Sequence, residues 1–269
     1  MLRGSTNLAE LTGSGLLSGA AAQQRTIAML PAFEELLPQA VMQRGSVVEC
    51  AGSAAVSLAL ALAAGPSLAG AWVGVAGLPH LGVAAAVELG VAPERLVMVA
   101  EPAQRFDDGQ WAEVLAAMID GFDVLLVGSG AHAVKAVTVR RLVARLQSRG
   151  AVLLSVVPSG CASSGVFGAD LRFEATDAVW QGLGNGHGVA RGRRASVQLS
   201  GRRVPRPRRA EMWLPTADGA VEAVASIAVA TPVSTGTSPS TGTSPSTGTS
   251  PSTGTSPSTD TMPALRRTG

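Results

Sequence analysis

The run Val47-Val48-Glu49-Cys50-Ala51 leads into Gly52-Ser53 and then into the apolar stretch Ala54–Ala64. A β-branched strand, a glycine and a helix in that order mark the place where an α/β chain would hold a phosphate-binding loop. Such a loop needs a second glycine for backbone freedom, a lysine for the β- and γ-phosphates, and a hydroxyl for Mg²⁺. Laid on the pattern G-x-x-x-x-G-K-[ST] from Gly52, those three positions are Ser57, Leu58 and Ala59. The context is that of a nucleotide site, and the groups that would do its chemistry are missing. Only the free N–H groups of a helix start remain there, and they attract an anion weakly.

Other constellations are thinner. Cys50 and Cys161 form no disulfide framework in 269 residues, and His80, His132 and His187 have no zinc-ligand spacing, so no metal is expected. Asp107-Asp108 beside Gly109 reads as a turn and a helix N-cap rather than an acid/base pair. Gly128-Ser129-Gly130 resembles part of a nucleophile elbow, but Val127 stands two before the serine and His132 is too near in sequence to complete a triad. The glycine-rich 182–188 follows no apolar strand and opens no helix, which suits a mobile loop.

Arginine is the unusual element. Lys135 is the lone lysine among 21 basic residues. Residues 1–180 carry 11 basic and 15 acidic side chains, whereas 181–230 carry eight Arg and three acids. Those eight are Arg191, Arg193, Arg194, Arg202, Arg203, Arg206, Arg208 and Arg209. They suit phosphate backbone or an acidic protein surface. No aromatic side chains are interleaved, so base stacking is not expected. Pro205 and Pro207 keep the stretch extended and suit it to a sheet edge. Arg141, Arg145 and Arg149 form a second stripe, read as a solvated helix face.

The elements that would position these residues alternate. The prefix Ala20–Gln39 reads as a helix pair broken at Pro31. Expected strands are Ser46–Cys50, 71–76, Leu96–Ala100, Asp123–Val127 and Ala151–Val157. Helices are expected over Ala54–Ala64, with a stop at Gly65-Pro66, and over Gly82–Leu89, Gln110–Asp120 and Ala136–Ser148. Continuous apolar strands alternating with helices are the pattern of a mostly parallel sheet covered on both faces. Three further short segments, Asp170–Glu174, Ala195–Leu199 and Ala210–Leu214, would extend that sheet with antiparallel strands. The 38 uncharged residues between Glu49 and Glu88 are broken by glycines and prolines, so a buried α/β segment is expected and not a membrane span. With no compact apolar leader run at the start, the expected location is cytoplasmic. Four tandem STGTSP copies between Ser234 and Pro257 hold no hydrophobic residue, and a disordered tail over 231–269 is expected.

The segments GSVVECAG followed after five residues by LALAL, then VELGVAPERLVMV, GFDVLLVGSG and RGAVLLSVVPSG, resemble the ATPase core of the RecA family over Pro31 to Leu214. More closely they resemble the actinobacterial RecA-like proteins of the inducible-mutagenesis cassette, the ImuA-prime type. The resemblance implies a RecA-like core over 31–180 behind an N-terminal segment 1–30, with a basic C-terminal extension over 181–230. It also implies where catalysis is lost. Gly128 stands where the family places a metal-directed Asp, no carboxylate follows Val75-Ala76, and Val156-Val157-Pro158-Ser159 replaces a polar sensor. Gly52, Ser53, Ser57, Leu58, Ala59 and Gly128 are therefore the positions of a degenerate nucleotide site, with no cofactor expected. The function so implied is a non-catalytic adaptor of the SOS response and translesion synthesis, nucleoid-associated on DNA damage. Its partners would be an ImuB-type inactive Y-family polymerase relative and, through it, the sliding clamp and an error-prone replicative-type polymerase. DNA contact and self-association stay open. The alternatives are a SulA-like division inhibitor and a nucleotide-dependent DNA-binding ATPase.

Overall fold

In a computed structural model of the chain, the described residues are 25–224 without 103–105, 161–164 and 185–186. The expected STGTSP tail, most of the N-terminal segment and Cys161 lie outside them.

The five apolar runs form the parallel strands β3 (Val47–Gly52), β4 (Val73–Ala76), β5 (Leu96–Val99), β6 (Val124–Val127) and β7 (Val152–Pro158). They lie side by side in the order β3-β7-β6-β4-β5. Four α-helices link them among the described residues: α1 (Ala55–Leu68), α2 (Val83–Glu88), α3 (Asp108–Gly121) and α4 (Ala136–Arg149). β8 (Leu171–Trp180) then returns beside β3, and β9 (Arg193–Ser200), β10 (Arg208–Trp213) and β11 (Glu222–Ala223) complete a nine-stranded mixed sheet. The chain is thus α/β with a mostly parallel centre and antiparallel strands at its C-terminal side.

Each face of the sheet has its own core. Val48, Cys50, Val75, Leu126 and Leu154 face α1, while Val47, Leu125, Val127 and Leu153 pack with Trp111, Leu115 and Ile119 of α3 and Leu142 and Leu146 of α4. Helix α1 is apolar all round, as a helix buried on every side must be. Its outer side is covered by the antiparallel ribbon of β1 (Thr26–Ala28) and β2 (Val41–Gln43), with Phe33 and Leu36 beside it. Phe33 meets Phe173 of β8 edge-on, ring centroids 6.1 Å apart.

Several expectations need correction. The described part of 20–39 is β1 and two short 3₁₀ turns, Pro31–Phe33 and Pro38–Ala40, rather than a helix pair. Pro38 disfavours helical backbone at Leu37, and Gln39 at φ 63° lies outside the helical region, so the segment breaks into two short turns. Helix α1 runs past Gly65-Pro66 to Leu68, because one missing N–H in a last turn is tolerable and Gly65 admits the Met29–Leu30 backbone where a Cβ would not fit. Strand β8 is parallel to β3, pairing Cys50 with Phe173, and antiparallel pairing begins with β9. Part of the arginine-rich stretch is an interior strand: β9 lies between β8 and β10, while Pro205 and Pro207 fall in the β9–β10 connection.

Candidate functional site

The β3–α1 turn is only Ser53 and Ala54 long. Gly52 has φ +95°, open to glycine and costly for other residues, and a Cβ there would fall on the Ala175 carbonyl oxygen. That carbonyl accepts the Ser53 N–H at 3.0 Å and lies 3.4 Å from the Ser53 hydroxyl. On the other side, the Ser159 N–H donates to the Gly52 carbonyl at 3.3 Å. The turn is therefore tied down by β8 and by the end of β7. Leu58 and Ala59 are fully buried in the core, and Ser57 is half-buried. Gly128 is buried two strands away, across β7, and a side chain there would run into the Gly77 carbonyl. The structure thus places the six expected positions in one closed turn, one helix start and one separate strand end. The uncapped α1 start offers its first-turn N–H groups and nothing cationic from its own sequence.

A more open crevice lies along the carboxyl ends of β4, β5 and β6. Two adjoining cavities, of about 240 and 300 Å³, share Gly77, Pro79 and Glu101. Val75, Leu78, Met98 and Val99 wall the first, and Phe106, Trp111, Ser129 and Gly130 the second. Phe106 and Trp111 hold each other edge-to-face at 5.2 Å. The chain leaves β4 for α2 on one face and β6 for α4 on the other, the arrangement that opens a ligand crevice in such sheets. Among the described residues its lining holds one carboxylate, Glu101, and no Lys or Arg, which suits a small apolar or cationic group better than a polyphosphate. Glu101 escaped the reading of the sequence; its signal was an acid two residues past an apolar strand.

The neighbouring carboxylates have structural tasks. Asp107 caps α3 in a capping box, accepting from the Gln110 N–H at 2.8 Å while its own N–H donates to Gln110 at 3.0 Å. Asp108 accepts the Lys135 backbone N–H at 2.8 Å, which, with the Lys135 ammonium at 3.3 Å, holds its carboxyl below the usual range. Among the described residues no three His, Cys, Asp or Glu side chains converge on one point.

Residues 35–160 match the model of a family described as the MT3502 N-terminal domain. The chain is also 35% identical over 102 residues to the uncharacterized protein Rv3395c of Mycobacterium tuberculosis, covering 38% of this chain and 48% of that protein. Both findings fit an actinobacterial family. The chain spans about half the length of this relative. The family match runs from the second 3₁₀ region through β7, so it takes in the closed β3–α1 turn and the crevice and stops before β8.

The eight candidate arginines separate into tied and free. Arg193 donates to the Leu214 carbonyl at 2.9 Å and lies over the Trp180 ring at 5.2 Å. Arg194 pairs with Glu211 at 3.3 Å. Arg202 and Arg203 flank Asp170 at 3.7 and 3.5 Å, with Arg202 also donating to the Gly168 carbonyl and Arg203 to Gln43. Arg208 donates to the Leu36 carbonyl at 3.3 Å, and Arg209 bonds Ser196 and pairs with Asp177. Arg191 and Arg206 are exposed and have no partner among the described residues. On α4, Arg145 makes a two-pronged contact with Asp120, which holds that carboxyl below its usual range, and Arg149 donates to the Asp120 carbonyl at 3.1 Å. Much of the basic stretch therefore joins strands and loops of its own sheet. Of the glycine-rich 182–188, the described residues lie between β8 and β9 and include an antiparallel bridge between Leu183 and Gly188.

Proposed function

We propose that the protein is a RecA-like, non-catalytic adaptor of damage-induced mutagenesis that holds an ImuB-type inactive polymerase relative and, through it, the sliding clamp and an error-prone polymerase. The observation that carries the non-catalytic part is the β3–α1 turn. Two residues cannot wrap a triphosphate, and the side chains at the lysine and hydroxyl positions, Leu58 and Ala59, are core residues. The adaptor part is supported by the resemblance, by the actinobacterial matches, and by the exposed cations Arg191 and Arg206. Arg191 and Arg206 are the first contact candidates within the basic stretch because, of its eight arginines, these two have no partner among the described residues.

Two measurements test the reading. Purified protein incubated with ATP, Mg²⁺ and single-stranded DNA is expected to show no turnover above a mock purification. Turnover that stays with the protein through successive columns overturns the non-catalytic assignment. Co-expression with an ImuB-type protein is expected to give a complex that survives affinity purification, weakened by replacing Arg191 and Arg206 with Ala. A folded chain that never retains that partner overturns the adaptor assignment. If DNA is the contact, the double variant flattens the dependence of log affinity on log salt by about two charges.

A further inference from the structure

A groove of about 430 Å³ runs between α4 and the loop that precedes β8. Its floor is Val139, Val143, Val166 and Phe167, and Arg140 and Arg202 stand over it from opposite walls. We infer that this groove is the docking site for an acidic segment of a partner protein, one that sets apolar side chains between α4 and residues 165–168 and carboxylates against Arg140 and Arg202.

Charge and floor together select that occupant. Arg140 is exposed and has no partner among the described residues. Arg202 keeps 71% of its side chain exposed while it leans on Asp170, and Arg203 shares the same carboxylate. Among the described residues, then, Arg140 has no acid beside it, and Arg202 shares its one carboxylate with Arg203. The other carboxylates near α4 are committed elsewhere, Asp120 to Arg145 and Asp108 to Lys135. Surplus guanidinium groups with unfilled donor forks suit carboxylates or phosphates. The floor decides between them. A nucleic-acid backbone has no use for a row of Val and Phe, and no exposed aromatic ring lines the groove to stack a base. An amphipathic peptide uses both features, laying anchors into an apolar trough and placing charges on its rim.

The inference deepens the adaptor proposal and rests on it only for the partner's role; the groove itself is tested separately. The probe is a fluorescein-labelled peptide of Glu-Glu-Leu-Leu repeats, titrated with the full chain by fluorescence anisotropy beside a Lys-Lys-Leu-Leu control. The Glu peptide is expected to bind, the Lys peptide not. Arg140→Glu and Ala144→Glu, both at exposed positions of α4, are each expected to weaken binding about tenfold, and Arg95→Glu, just before β5 at the far edge of the sheet, is expected to leave it unchanged. The inference falls if wild type does not bind the Glu peptide, if both α4 variants bind like wild type, or if the Lys peptide binds equally well. It also falls if deleting residues 1–24 raises affinity, which would make the chain's own N-terminus the occupant. Should the peptide results follow expectation while retention of the ImuB-type protein is indifferent to both α4 variants, the groove stands and that choice of partner falls.

Discussion

At the residue scale, two glycines of the expected nucleotide-site set are fixed by what lies beside them. Gly52 combines φ +95° with the Ala175 carbonyl where a Cβ would go, and Gly128 has the Gly77 carbonyl in that place. Gly52→Ala and Gly128→Asp are each expected to destabilise the fold by roughly 2–4 kcal/mol through strain and forced displacement of a neighbouring strand end. Urea midpoints check this, and unchanged midpoints would mean that both strand ends yield easily. Cys50 gives a second prediction. It is completely buried, and burial pushes its thiol far above the ordinary range. In a Cys161→Ser background, Cys50 is expected to stay unreactive toward a disulfide reagent at pH 8 and to react at the rate of unfolding. The folded state keeps the thiol protonated while the unfolded chain loses its proton near a pKa of about 8.5, so this contribution is intact below that pH and declines as pH rises above it.

At the scale of elements, β3 carries a charge through the middle of the sheet. Glu49 is 3% exposed, pairs with Arg172 of β8, and accepts the Gly165 N–H at 2.7 Å. Arg172 also reaches Glu174 at 3.4 Å. The pair ties the parallel β3–β8 junction to the loop that forms one wall of the docking groove. Removing the cation alone leaves a desolvated carboxylate, so Arg172→Met is expected to cost about 3 kcal/mol. Glu49→Leu combined with Arg172→Met should cost less than Arg172→Met alone, since no charge is then stranded. Denaturant titration of both variants checks the ordering, and a double variant worse than the single one would show that the pair is worth more than an apolar replacement.

For the whole molecule, the described residues form one continuous sheet from β5 to β11 with a core on each face. Residues 234–269 contain the STGTSP repeats and almost no apolar side chains, so they bring little apolar area to a core. Deleting them is expected to leave the thermal midpoint unchanged within a degree or two, measured by circular dichroism. A fall of several degrees would show that the repeats pack on the sheet. Replacing Arg202, Arg203, Arg208 and Arg209 together is, by contrast, expected to lower the midpoint, because each bonds a group elsewhere in the fold. No helix among the described residues is long and apolar enough to cross a membrane.

What the sequence determined by itself was local and periodic. The five apolar runs, the helices between them, the Asp107 cap and the absence of Lys and Gly at the phosphate positions were all legible, because each depends on residues within a few positions of one another. Tertiary structure decided the rest. The end of α1 depended on the Met29 backbone packing against Gly65, and the 31–40 segment sets Phe33 against Phe173, 140 positions away in the chain. The direction of β8 was invisible, since a strand flanking β3 has the same alternation whether it runs parallel or antiparallel. Most consequential was the fate of the arginines. Clustering announced a charged surface, but which guanidinium groups are free depends on Asp170, Asp177, Glu211 and the Leu36 carbonyl, brought to them from distant parts of the chain. Arg140, unremarkable in sequence, stands at an apolar groove with no partner among the described residues, a placement that the fold alone decides.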